Sequence, residues 1–155
     1  HASLFDDRAR ELERDLRALT EKLTQAMEPL AGARVVTYHR TWPYFLKRFK
    51  LQKLAEVEPK PGIAPGTRHI TRLAEEMQHK GVGLVIVETF SDQRTAQRVA
   101  DLSKGRTVLL AQEVNAVPGV ETYQALFQYN TGALLTAHRE LNGASTNPPA
   151  AETTR

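Results

Sequence analysis

The sequence predicts an α/β fold, in which a long N-terminal helix precedes a four-stranded parallel β-sheet with helices on both faces. Three observations carry this prediction. A regular apolar stripe runs through the first 30 residues, four short β-type runs follow it, and amphipathic stretches separate those runs. Strands that alternate with helices in this way usually form a parallel sheet, because each crossover helix returns the chain to the same end of the sheet.

The composition is that of one globular domain. The chain has 155 residues, of which 41% are hydrophobic and 25% charged, which is enough for one core but not for two ordinary domains. The 21 basic and 18 acidic residues are scattered, and without a basic stripe we expect no nucleic-acid binding. Because the chain has no cysteine, disulfides, thiolate metal sites and cysteine nucleophiles are excluded.

Residues 3–30 are predicted to form one long helix. Steps of three and four residues separate its apolar positions, which places them on one stripe; these positions are Phe5, Ala9, Leu12, Leu16, Leu19, Leu23, Ala26 and Leu30. Packing against its own domain is the favoured interpretation, but the spacing also fits the heptads of a coiled-coil dimer. Pro29 and Gly32 are expected to end the helix.

From residue 34 the period of the sequence becomes strand-like. A first strand is predicted at 34–38, directly before His39, and a helix at 42–50 leads to a second strand at 53–57. The segment 58–66 contains three prolines and two glycines. These residues disfavour both helix and central strand, so the segment is predicted to be a loop.

The rest of the chain repeats the alternation of helix and strand. The predicted elements are a helix, a strand, a helix, a strand and a last helix, at residues 67–80, 83–88, 91–102, 107–111 and 122–141. Thr67 and Ser91 are suited to cap two of these helices at their N-termini, and Gly81 to end one of them. Residues 142–155 have no apolar period and are predicted to be a disordered tail.

Polar side chains follow three of the predicted strands. His39 comes after the first strand, Glu88 closes the third, and Glu113 lies just after the fourth. Open parallel sheets bind ligands beyond the C-terminal ends of their strands, so we expect all three to face one crevice. Imidazole and carboxylate together suit zinc or manganese.

Each of these residues also has an ordinary structural interpretation. His39 could be a histidine that is hydrogen-bonded at a strand end, and Glu113 a solvated loop residue. For Glu88 the favoured interpretation is a carboxylate that caps a helix or fixes a loop. The trio would also suit acid/base catalysis, although no nucleophile or phosphate-binding loop accompanies it. His69 and His79 are predicted to be surface residues.

Four blocks of sequence agree in order and spacing with one known family. They are Val35–Phe45, Glu58–Ile63, Val85–Glu88 followed by Asp92, and Val117–Tyr123. In these blocks, and over about residues 1–140, the chain resembles the second lobe of the zinc- and manganese-binding solute-binding proteins of ABC importers.

The resemblance implies a two-lobed receptor in which one long helix joins the lobes and the metal lies between them. Residues 1–30 would be the connecting helix and residues 31–141 the second lobe, whereas the first lobe would be missing from this chain. The whole protein would be a non-enzymatic carrier outside the cytoplasm, periplasmic or lipid-anchored. It would capture Zn²⁺, or alternatively Mn²⁺, and deliver the ion to a membrane permease.

The same resemblance assigns roles to the three polar residues. His39 would be the metal ligand of this lobe, Glu113 the nearest carboxylate where a further ligand falls, and Glu88 a support for the surrounding loop. Because zinc prefers four ligands, we expect weak or absent metal binding by this chain alone. The exposed helix would favour a homodimer or domain exchange. A small α/β enzyme and a helix-mediated dimerisation module are the alternatives.

Overall fold

The computed structural model, which describes residues 2–145, alternates helices and strands along the chain. Its elements, in chain order, are α1 (Ala2–Ala26), a 3₁₀ turn (Glu28–Leu30), β1 (Arg34–Thr37), α2 (Pro43–Arg48), β2 (Gln52–Glu56), α3 (Thr67–His79), β3 (Leu84–Glu88), α4 (Gln93–Ser103), β4 (Arg106–Leu110) and α5 (Tyr123–Ser145). Apart from the ends of α1 and α5, each boundary lies within two residues of its predicted position.

The four strands form one sheet, and every pair of neighbours is parallel. Their order is β2-β1-β3-β4, so the chain moves outward from β1 in one direction to β2 and in the other to β3 and β4. The point at which the strand order reverses lies between β1 and β3, and this is where open α/β sheets commonly bind ligands. The predicted α/β fold is therefore confirmed.

Two hydrophobic cores cover the two faces of the sheet. Because successive strand side chains point to opposite faces, neighbouring residues enter different cores. Val35 and Ile86 pack with the end of α1, with α2 and with α5, whereas Val36 and Val85 pack with α3 and α4. The central strand β3 is buried along its whole length, including its last residue Glu88.

The helix α1 packs on this domain only through its C-terminal part. Leu23 is buried, but Leu4, Phe5 and Leu12 of the same stripe are 49%, 67% and 52% exposed. The helix also ends four residues earlier than predicted, at Ala26. Pro29 lacks the N–H that an α-helix needs at this position and clashes with the preceding turn, and the chain continues there as a 3₁₀ turn.

Three other helix ends differ from their predictions. The N-cap of α3 is Gly66 and not Thr67, which is the first residue of the helix. The N-cap of α4 is Asp92 and not Ser91, because the Asp92 carboxylate accepts hydrogen bonds from the N–H groups of Arg94 and Thr95, at 3.0 and 3.3 Å. The helix α5 continues to Ser145, so residues 142–145 of the predicted tail are helical. A glycine such as Gly143 weakens a helix by about 1 kcal/mol without stopping it. Residues 146–155 lie outside the described residues.

Within residues 2–145, no helix has both the length and the apolar content that a membrane crossing requires.

Candidate metal site

His39 lies at the point where the strand order reverses. It follows the end of β1 by two residues, and its side chain is 21% exposed. The ring stacks on that of Phe90, with centroids 6.1 Å apart and planes 15° from parallel, and the ring of Tyr38 meets it edge-on at 4.8 Å. Phe90 is itself 66% exposed. The imidazole therefore has a defined orientation but remains partly open to solvent.

Glu58 is the acidic partner of this imidazole. Its Oε1 atom lies 3.8 Å from Nδ1 of His39, and its side chain is only 12% exposed. The backbone N–H of Gly62 donates to the same oxygen at 2.8 Å. Glu58 was not among the predicted site residues. A signal was present, because Glu58 follows β2 by two residues, as His39 follows β1.

Glu88 joins the loops that carry His39 and Phe90. It is fully buried, and its Oε1 accepts hydrogen bonds from the Thr41 hydroxyl and from Nε1 of Trp42, the latter at 2.9 Å. Its Oε2 accepts a hydrogen bond from the Ser91 hydroxyl at 2.7 Å. Both carboxylate oxygens are thus occupied by protein donors, and the loop after β1 is linked to the loop after β3.

Glu113 stands apart from this cluster. It is exposed in the loop after β4, the edge strand that β3 separates from β1. No contact in the part of the chain that the structure describes brings its carboxylate to His39. Over residues 2–145, no three His, Cys, Asp or Glu side chains are grouped closely enough to hold a metal ion.

Negative charge accumulates at this end of the sheet. The pKa of Tyr38 is raised, first by burial and then by the charges of Asp92, Glu58 and Glu88. The hydrogen bond from the Thr95 hydroxyl, together with the backbone N–H groups at the start of α4, lowers the pKa of Asp92. Three carboxylates therefore lie close enough to Tyr38 to disfavour a negative charge on its phenol.

His69 is not the surface residue that the sequence predicts. It is partly buried at the start of α3, and its Nε2 atom lies 3.1 Å from the carbonyl oxygen of Val57 and 3.3 Å from that of Glu56. The start of α3 therefore packs over the end of β2, next to Glu58. His79, at the other end of α3, is exposed as predicted.

Residues 1–137 match the protein family described as zinc-uptake complex component A, periplasmic (ZnuA). The chain belongs to this family. The resemblance to metal-binding solute-binding proteins that the sequence indicated is therefore confirmed.

The relatives include curated ZnuA proteins and solved structures. ZnuA of Brucella abortus (strain 2308) is 24% identical over 110 residues, which are 71% of this chain and 33% of that protein. The laminin-binding protein Lmb of Streptococcus agalactiae, described as an adhesin with metal transporting activity, has a TM-score of 0.70 at 21% identity, over 84% of this chain and 50% of that one. FpvC of Pseudomonas aeruginosa, solved with Mn²⁺, has a TM-score of 0.67 at 22% identity, over 85% and 50%.

At these sequence identities the two solved structures share the fold with this ZnuA-family chain. The chain spans about a third of the length of the curated relative and half of the length of each solved structure.

Proposed function

We propose that this chain is the second lobe of a solute-binding protein that captures a divalent metal ion, Zn²⁺ or alternatively Mn²⁺, for an ABC importer. One observation carries the proposal: in a ZnuA-family chain, an oriented and partly exposed imidazole lies 3.8 Å from the Glu58 carboxylate, at the point where the strand order reverses. Among the relatives, the Brucella protein is named for zinc uptake, and FpvC was solved in complex with Mn²⁺. Titration with each of the two ions distinguishes between them.

In this proposal His39 binds the metal, and Glu88 holds the surrounding loops without binding it. Both oxygens of Glu88 already accept hydrogen bonds, which makes this carboxylate a poor ligand but a good anchor. Glu113 is the carboxylate that would join His39, because its loop leaves the sheet at the same end. Its side chain is exposed, and within the described part of the chain no hydrogen bond to its carboxylate would have to break for a metal ion to bind.

A first lobe would complete the site. Residues 1–30 would then be the connecting helix and residues 31–141 the second lobe. The exposed residues Leu4 and Phe5 on α1 are apolar surface that such a lobe would cover. A groove of about 570 Å³ between α1, α2 and α5, lined by Leu16, Trp42 and Tyr123 among others, extends this surface towards the site. A homodimer or domain exchange would cover the same surface in a chain that lacks the first lobe.

We propose the role of the whole protein from its family. The intact receptor would work outside the cytoplasm, free in the periplasm or held by a lipid anchor, and would present the metal ion to a membrane permease. We propose a carrier and not an enzyme, since the relatives are named for uptake and transport.

The test is isothermal titration of Zn²⁺ and Mn²⁺ into this chain and into the variants His39→Ala and His79→Ala, in chelator-treated buffer. We expect weak binding by this chain, because one imidazole and one carboxylate fall short of the ligand number that zinc prefers. In a longer chain that carries the first lobe, His39→Ala should weaken binding by more than the roughly 10–100-fold typical of losing an outer-shell partner.

The His79→Ala variant is the matched control, because His79 is exposed at the C-terminal end of α3, far from the crevice. We expect this variant to bind metal as the unmodified chain does. Tight binding that survives His39→Ala in the two-lobed chain would contradict the proposal.

A further inference from the structure

We propose that Glu58 determines which nitrogen of the neutral His39 imidazole carries the proton: the carboxylate holds the proton on Nδ1 and leaves the lone pair of Nε2 free for the metal. The statement about the proton concerns this chain by itself. Only its consequence for metal binding rests on the proposed function.

The strand register places these two side chains together. Thr37 and Glu56 are partners across β1 and β2, so the residues two positions further on, His39 and Glu58, leave the sheet side by side. The backbone N–H of Glu58 donates to the carbonyl oxygen of Tyr38 at 2.9 Å. This hydrogen bond extends the pairing of β1 and β2 to the residue before His39.

Two hydrogen bonds hold the loop that carries Glu58, one to its carboxylate and one to the backbone beside it. Gly62 closes a turn over the carboxylate and donates its N–H to Oε1; its φ of +78° is a conformation that glycine adopts without steric cost. The His69 ring is hydrogen-bonded to the carbonyl oxygen of Val57, the residue before Glu58, and so holds the backbone there. The negative charge is therefore fixed before any metal ion arrives.

A fixed negative charge biases the imidazole tautomer. At 3.8 Å the contact between Oε1 and Nδ1 is longer than a hydrogen bond, and its effect is electrostatic. An N–H group at Nδ1 points positive charge at the carboxylate, whereas a lone pair there would face it with negative charge. Metal-binding histidines commonly use such a partner to fix the tautomer and to make the other nitrogen more basic.

The other carboxylates near this end of the sheet are engaged elsewhere. Glu88 accepts hydrogen bonds from loop side chains, and Asp92 caps α4. Within residues 2–145, Glu58 is the acidic side chain that lies within ion-pair distance of the His39 ring. The preference of the His39 ring for the Nδ1–H tautomer is therefore assigned to Glu58.

The test is long-range ¹H–¹⁵N correlation NMR of the imidazole groups in this chain, without metal and at a pH at which the ¹⁵N shifts report a neutral His39. The variant Glu58→Gln keeps the size of the side chain and removes its charge. We expect the Nδ1–H tautomer to be the major form in the unmodified chain and its population to fall at least about twofold in Glu58→Gln. The control Glu56→Gln removes a carboxylate that pairs with Lys53 and should leave the tautomer of His39 unchanged.

Two results would overturn the inference: a major Nε2–H tautomer in the unmodified chain, or a major Nδ1–H tautomer that Glu58→Gln leaves unchanged. A two-lobed chain then separates this inference from the proposed function. If His39 binds zinc, Glu58→Gln should weaken zinc binding about 10–100-fold, and zinc should shift the Nε2 resonance. If the tautomer depends on Glu58 but zinc leaves the Nε2 resonance unmoved, the proposed function fails and the assignment of the proton stands.

Discussion

A buried carboxylate such as Glu88 is retained only where its neighbours replace the water it loses. Here the replacements are the Thr41 hydroxyl, the Trp42 indole N–H and the Ser91 hydroxyl. All three come from loops, so the carboxylate gives two loops one common anchor at the end of the most deeply buried strand. Without it, these three donors would lose their acceptor, and the loops that hold His39 and Phe90 in contact would lose their link.

Replacing Glu88 by glutamine should lower the free energy of unfolding. An amide has one accepting oxygen instead of two and no charge, so at least one of the three donors loses a charge-assisted bond worth roughly 1.5–3 kcal/mol. Urea unfolding followed by circular dichroism measures the effect.

Glu113→Gln is the control for this experiment, because the Glu113 side chain is exposed. Substitutions of this kind usually change stability by less than about 0.5 kcal/mol. Equal unfolding free energies for the two variants would show that the bonds to Glu88 do not stabilise the fold.

The sequence predicted single residues less well where their roles depend on neighbours in space. His39 and Glu88 could be selected because each stands at the end of a recognisable strand. Glu58 also follows a recognisable strand, but its role depends on β2 lying next to β1, and the sequence pattern predicts the strands without their order. His69 was placed on the surface for the same reason, since only the packed structure brings α3 over the end of β2.

At the scale of elements, the capping of α4 shows how a local choice is made. Ser91 and Asp92 are both good N-cap residues, but the Ser91 hydroxyl donates to Glu88, which leaves the cap to Asp92. An anionic cap is also favourable at the positive end of the helix dipole. The hydrogen bond from Ser91 to Glu88, three residues earlier in the chain, thus decides where the helix is capped.

Replacing Asp92 by alanine should lower the free energy of unfolding at neutral pH by about 1 kcal/mol, because two backbone N–H groups lose their acceptor. The folded-state pKa of Asp92 is lowered, so its contribution is present above the unfolded-state pKa and is lost as the pH falls through the folded-state value. Denaturant unfolding at neutral and at acidic pH should therefore give a difference between the two proteins that shrinks on acidification.

The control for this experiment is Asp101→Ala, in the second half of the same helix. A carboxylate there does not cap the N-terminus, so we expect no comparable loss. A difference between the unmodified chain and Asp92→Ala that grew towards acidic pH would contradict the assignment of Asp92 as the cap.

The elements themselves were largely predictable from the sequence. The strands β1, β3 and β4 contain short apolar runs bounded by glycine or a polar residue, and the amphipathic period of α3 and α4 is regular. The end of α1 was missed because the apolar stripe continues through Leu30, whereas the backbone at Pro29 cannot continue the helix. Periodicity reports which face is apolar and not whether each residue can donate its backbone hydrogen bond.

At the scale of the whole molecule, α1 is the element whose apolar stripe the rest of the chain covers only in part. Leu23 and Leu30 are buried in the core, whereas the first half of the stripe faces solvent. A stripe of this length indicates a partner for its first half, and the proposed partner is the first lobe.

Replacing Phe5 by serine tests this. In the present chain the change should alter the free energy of unfolding by less than about 0.5 kcal/mol, because the ring is already exposed. In a chain that carries the first lobe it should cost about 1.5–3 kcal/mol, the usual value for burying such a side chain.

Leu23→Ser is the matched control, since Leu23 is buried in the present chain and should be destabilising with or without the first lobe. Thermal or urea unfolding of the unmodified protein and of both variants, each with and without the first lobe, gives the comparison. If Phe5→Ser were equally mild in both backgrounds, the first lobe would not pack on this part of α1.

The length of α1 also bears on how a receptor of this kind could release its cargo. Its 25 residues make a rod of roughly 37 Å at the rise of an α-helix, and an uninterrupted helix bends only gently. If α1 is the connecting helix, as proposed, two lobes joined by such a rod would swing apart less freely than lobes joined by two flexible linkers. Delivery of the ion would then depend on small movements at the mouth of the crevice, in which a change in the contact between His39 and Phe90 would matter more than any wide opening.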